Sequence, residues 1–191
     1  MKRVGQLPLA WALSIAALGH CATAHGQQRG ELPQPHDPAH AERSADWCAA
    51  HVAKREMVQA MSDCDHAVAK EPTNPRVLSN RGSVWLLAGE PSRALKDFEA
   101  ALALAPGVAN FYFNRGLAHA KLGTREKAIA DYTEAIRLQP SLSIAHHNRG
   151  YEYELLGQLG AALADYRRAL EITPEMKPAT DAIARLMRGR L

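Results

Sequence analysis

Cysteine is scarce in this chain, three residues in 191, and the usual marks of catalysis are missing with it. No glycine-rich phosphate loop, no Gly-x-Ser-x-Gly elbow and no His-Glu-x-x-His pair occurs, so nucleotide, acyl-transfer and zinc chemistry have no seat in the sequence. An enzyme is therefore not expected, nor a cofactor, a small-molecule substrate or a metal. The histidines do not gather: His36 and His40 lie with Asp37 in a proline-broken stretch without fixed geometry;. His146 and His147 are adjacent, whereas helical ligands face together at spacings of three or four. His119 shares its slot with Trp85 and Tyr153 and reads as packing. Charge is also lacking. Residues 1–24 hold Lys2, Arg3 and no acid, so losing them lowers the net charge from +3 to +1, which gives no reason to invoke nucleic acid.

Long apolar runs are absent too. The stretch from Leu7 to Leu18 is about 12 residues where a bilayer needs about 20. It follows Lys2 and Arg3 and precedes Ala22-Thr23-Ala24, a small-x-small cleavage site;. Residues 1–24 thus read as a secretory signal cut after Ala24, sending the chain to the periplasm or outside the cell. The alternatives are an uncleaved membrane anchor and lipidation at Cys21, since Leu18-Gly19-His20-Cys21 is shaped a little like a lipobox. His20 opposes lipidation, because the residue before a lipidated cysteine is normally small. Residues 25–40, with Gly26, Gly30, Pro33, Pro35 and Pro38, read as an exposed linker.

What is present is repetition. Four blocks of 34 residues, 41–74, 75–108, 109–142 and 143–176, follow one another without insertion or deletion. The register rests on columns: Gly82, Gly116 and Gly150; Gly89, Gly123 and Gly157; Ala60, Ala94, Ala128 and Ala162; Ala67, Ala101, Ala135 and Ala169; Pro72, Pro106, Pro140 and Pro174. Several columns agreeing at one period mark a repeat architecture. Within a block the second glycine ends one helix and the proline ends the next. Apolar positions such as Ala128, Ile129, Tyr132, Ala135 and Ile136 give the second helix a buried stripe;. One helix pair cannot bury its own surface, so the blocks stack into an all-α, right-handed solenoid with a concave groove. Arg81, Arg115 and Arg149 each precede an aspartate, Asp97, Asp131 and Asp165, by sixteen residues. That recurrence predicts an ion pair joining the two helices of each block, worth roughly 0 to 1 kcal/mol if exposed.

These blocks resemble the tetratricopeptide repeat family, most plainly in Phe111-Tyr112-Phe113-Asn114-Arg115-Gly116 followed by Ala128, Tyr132, Ala135 and Pro140. Block one departs from the pattern, with Cys48 in the first glycine slot, His51 and Arg55 in the next two, and Cys64 in the aromatic slot. After block four, residues 177–191 read as a capping helix with Ala179, Ile183, Leu186 and Met187 on its apolar side;. Cleavage at Ala24 leaves Cys48 and Cys64 as a pair in an oxidising compartment. Facing slots could meet the Cα spacing of about 4.4 to 6.8 Å that a disulfide requires. Closing a loop of about 15 residues would stabilise by roughly 3 kcal/mol. The alternative is two buried thiols packing as small hydrophobes.

The resemblance implies that first helices line the groove and that a protein or peptide partner lies along it. The asparagine ladder Asn80, Asn114 and Asn148 either holds a peptide backbone or bonds between neighbouring helices. Around it fall Arg76, Ser79, Ser83, Phe113, Leu117, Lys121, His147 and Tyr151. Arg76, Asn80 and Asn114 match three slots of the family's carboxylate clamp, but Ile144 and Asn148 stand where its other bases belong. Expected functions are an exported, non-catalytic adaptor in the periplasm or cell envelope, or an accessory or regulatory subunit of an envelope enzyme. A lipid-anchored component through Cys21 is the remaining alternative.

Overall fold

The computed structural model describes residues 57–188. Their regular structure is entirely helical: α1 (Met57–Lys70), α2 (Pro75–Leu87), α3 (Pro91–Leu104), α4 (Ala109–Lys121), α5 (Arg125–Leu138), α6 (Ser143–Leu155), α7 (Leu159–Ile172) and α8 (Lys177–Arg188). Blocks two, three and four each supply two helices, as the spacing predicts. In block one, α1 is the second helix; residues 1–56, with the signal, the linker, Cys21 and Cys48, lie outside the described residues.

The turn inside each block is set by backbone chemistry. Gly89, Gly123 and Gly157 have φ of 78°, 74° and 75°, a left-handed conformation that L side chains resist. It lets the next amide turn back on the helix it leaves: Glu90 N donates to Trp85 O at 2.8 Å, Thr124 N to His119 O at 3.0 Å and Gln158 N to Tyr153 O at 2.8 Å;. Pro75 and Pro91 open their helices at positions whose N–H has no intrahelical partner;.

Each helix packs most closely on its partner within the block, then on the next block along the chain. The partners meet where a ring covers a glycine. A Cβ added at Gly82 would come within 2.6 Å of the Phe98 ring, at Gly116 within 2.7 Å of Tyr132, and at Gly150 within 3.1 Å of Tyr166 and of the Ala162 carbonyl. All three rings are fully buried. Beside them the expected ion pairs form. Arg81 Nε and Nη2 donate to Asp97 at 2.8 and 2.7 Å, Arg115 to Asp131 at 2.9 and 2.7 Å, and Arg149 to Asp165 at 2.8 Å twice. These hydrogen bonds raise each guanidinium's pKa above its usual value. The aspartates are buried rather than exposed, so losing the arginine would strand an unpaired charge and cost more than a surface pair does.

The junction of blocks three and four breaks the apolar pattern. Val84 and Ala118 are buried, and the next residue of that column, Glu152, is buried as well. Arg125 Nη1 reaches it from α5 at 2.8 Å. At the far end, α8 packs on α7 through Ala179, Ala182, Ile183 and Leu186. It is tied to α6 by Arg185, which donates to Glu154 at 2.8 and 3.0 Å, and the Tyr166 hydroxyl donates to the same carboxylate at 2.8 Å.

Two stability tests follow from this packing. Gly116→Ala places a methyl where the buried Tyr132 ring cannot withdraw, and thermal melting followed by circular dichroism should show a loss of about 1–3 kcal/mol. Arg125→Ala should lower the melting temperature more than Glu152→Ala does, because the first leaves a buried carboxylate alone and the second restores the alanine found at position 118.

Candidate functional site

First helices make the inner side of the array: α2 approaches α4 directly although α3 lies between them in sequence. Residues 34 apart on these helices fall into rows. Arg76, Asn110 and Ile144 form one; Ser79, Phe113 and His147 the second; Ser83, Leu117 and Tyr151 the third; Leu87, Lys121 and Leu155 the fourth. On α6 the members, Ile144, His147, Tyr151 and Leu155, are spaced three and four apart and so share a helix face.

The rows are not equally open. Arg76 and Lys121 are exposed, and neither side chain forms an ion pair among the described residues. Leu155 is 44 % exposed. Asn80, Leu117, His147, Asn148 and Tyr151 are half-buried, while Ser79, Ser83, Phe113 and Asn114 are buried. Phe113 faces the core, its ring 5.8 Å from that of Tyr132. Ser83 Oγ donates to the Ser79 carbonyl at 3.0 Å. His147 stacks near Tyr166 with ring centres 5.5 Å apart, and burial lowers its pKa, so the ring is neutral at pH 7. His119 is likewise pushed down by burial and bonds Thr124 Oγ1 at 3.0 Å. His146 faces elsewhere than His147, toward Asp165 at 3.4 Å and the Pro140 carbonyl at 3.3 Å.

The asparagine ladder divides. Asn114 Nδ2 donates to Ser79 Oγ at 3.4 Å, across to the neighbouring first helix. Asn148 Oδ1 lies 3.2 Å from Nδ1 of its chain neighbour His147. The Asn114 bond thus joins neighbouring first helices, whereas that of Asn148 stays on its own helix. Asn80 remains half-buried at the second block.

Sequence reasoning missed Leu87, Asn110 and Leu155 as groove members, and missed that the rows run on into α8. Asp181 extends the row of His147 and Arg185 that of Tyr151. The signal was the 34-residue register itself, carried past the last proline. Cys64 is fully buried beside Ala60 and Val84; its expected partner, Cys48, is outside the described residues, as are His36, Asp37 and His40. Among the described residues no cluster of three or more histidine, cysteine or acidic side chains could hold a metal ion, and no helix is long and apolar enough to cross a membrane.

Among the described residues one polar atom is left over: Asn114 Oδ1 is buried without a partner. At the position 34 residues before Tyr132, and sixteen before Asn114, stands Phe98, which has no hydroxyl. Phe98→Tyr should supply the missing group and raise the unfolding free energy by about 1 kcal/mol; a fall in the melting temperature would show that the hydroxyl does not reach Asn114.

Comparison with known proteins agrees with this geometry. Family models described as tetratricopeptide repeat match residues 81–143 and 143–176. Among solved structures, the MamA protein superposes with a TM-score of 0.68 at 20% identity, covering 81% of this chain and 84% of that one. The first such domain of Spaghetti (RPAP3), bound to the HSP90 peptide SRMEEVD, gives 0.59 at 25% identity, covering 61% and 92%. The second domain of human RPAP3, in complex with the HSP70 peptide SGPTIEEVD, gives 0.56 at 28%, covering 60% and 98%. A search of curated protein sequences finds no match. With its glycines under rings, its left-handed turns and its unbroken 34-residue register, the chain belongs to the tetratricopeptide repeat family.

Proposed function

We propose that this protein is an exported, non-catalytic interaction scaffold that holds a segment of a partner protein along the face shared by α2, α4 and α6. The observation that carries this reading is the mixed exposure on first helices, with Arg76 and Lys121 exposed and Leu117 and Tyr151 half-buried. Such a mixture of apolar anchors and rim charges suits a protein partner. The solved relatives with HSP90 and HSP70 peptides bound support the same use of the fold. Asp97, Asp131, Asp165, Glu152 and Glu154 are each engaged by an arginine, a structural use of these carboxylates.

Export rests on the leader and on the cysteines. A Cys48–Cys64 bridge would close block one in place of its missing glycine and aromatic residue, and it would form only in an oxidising compartment. The adaptor then works in the periplasm or envelope.

Two measurements test the proposal. Partners cross-linked and recovered from the envelope with the wild-type chain should be lost with the double variant Arg76→Glu, Lys121→Glu, while helical content and melting stay unchanged, both residues being exposed; retention of every partner would reject the groove. Mass analysis of the exported chain should give His25 as the first residue and a mass about two hydrogens below that of the reduced form. An acylated Cys21 or two free thiols would reject the cleaved or the bridged reading.

A further inference from the structure

One stretch outside the first-helix rows has lost its charges. Residues 87–96, from the turn of block two into its second helix, carry Glu90, Arg93 and Lys96, and residues 121–130 of block three carry Lys121, Arg125, Glu126 and Lys127, whereas residues 155–164 of block four hold no charged side chain. Leu156 is 36 % exposed at that turn, and Gly160, Ala161 and Ala164 are exposed on the first turns of α7. Gly160 has neither a left-handed φ nor a neighbour that a side chain would meet. Glycine inside a helix is destabilising relative to alanine, so nothing within the chain accounts for it.

The rest of the same face is built differently. Gly160, Ala164, Arg168 and Glu171 follow at spacings of four, four and three and so share one side of α7;. Arg168 donates to Glu171 at 2.7 Å, both side chains more than half exposed. The face is bare in its first half and bulky in its second, with the acid outermost. The start of α7 has no acid in its first turn, and its N-cap residue Gln158 makes no side-chain hydrogen bond, so the open N–H groups there keep their partial positive charge. Turned antiparallel about a two-fold axis at Ala164, a second α7 lays its Arg168 over the open space at Gly160 and carries its Glu171 to that positive end. The neighbouring second helices forbid this pairing: the same axis sets Lys96 against Lys96 on α3 and Glu134 against Glu126 on α5.

From this complementarity we infer that the face is covered by a second copy of this chain, joined through an isologous α7–α7 contact that leaves the first-helix rows of both copies free. One helix pair buries less than the ~800 Å² per partner of a standard interface, so the dimer is a weak one, formed at about 100 µM and parted at about 1 µM. Sedimentation equilibrium of the exported chain over that range tests it. Ala164→Glu and Ala164→Lys each put like charges on the axis, and each alone should weaken association at least about tenfold while circular dichroism keeps the same helical content, position 164 being exposed;. An equimolar mixture of the two variants should regain the dimer, since acid then faces base across the axis. A wild-type chain monomeric at about 100 µM, a dimer indifferent to both substitutions, or a mixture that fails to restore it would overturn the inference. A wild-type chain that stays monomeric while Ala164→Glu loses a partner cross-linked in the envelope would give the face to another protein, and would overturn it too.

Discussion

The ring seated on a glycine is the contact on which the array depends. Where Phe98 and Tyr132 lie over Gly82 and Gly116 no room remains for a methyl group, and at Gly150 one would press on Tyr166 and the Ala162 carbonyl, so the ring sets how closely the two helices of a block approach. Interiors packed to this density have few ways to relax. The arginine–aspartate pair beside each ring fixes the rotation of one helix against the other by two parallel hydrogen bonds, a geometry that only the planar guanidinium provides. Separation and rotation together define the helix pair as a rigid unit, and the groove inherits its shape from the stacking of such units.

Most of this was legible because it repeats. The columns of glycine, alanine, proline, arginine and aspartate residues announced helix pairs and their ion pairs, since a structural role that recurs in space recurs in sequence. The burial of the aspartates in those pairs was not legible, because period alone does not say which face an aspartate column takes. The site was less legible. Asparagines 80, 114 and 148 look equivalent, yet what each bonds depends on neighbours that differ: Ser79 in front of Asn114, His147 beside Asn148 and Phe98 where a hydroxyl is wanting. Glu152 and Arg125 meet across 27 residues at a spacing no column marks.

The repeat also separates two kinds of residue that one helix carries together. On α6, Gly150, Arg149 and His146 look toward α7 and hold the fold, while Ile144, Tyr151 and Leu155 fall on the other rows. A substitution on the first set acts on every partner at once through stability. In the second set only exposed Leu155 stands clear of the frame, since Ile144 and Tyr151 also pack on the core. That division allows the exposed part of the face to vary while the frame stays constant.

α8 starts at Lys177, 34 residues after Ser143, and meets α7 as α6 meets α5 and α4 meets α3. Its seat is therefore the same surface that every preceding second helix presents. Duplicating one whole unit of the gene between Ile172 and Lys177 would hand α8 an identical seat further along, so the trough can lengthen by integer steps without redesigning either terminus.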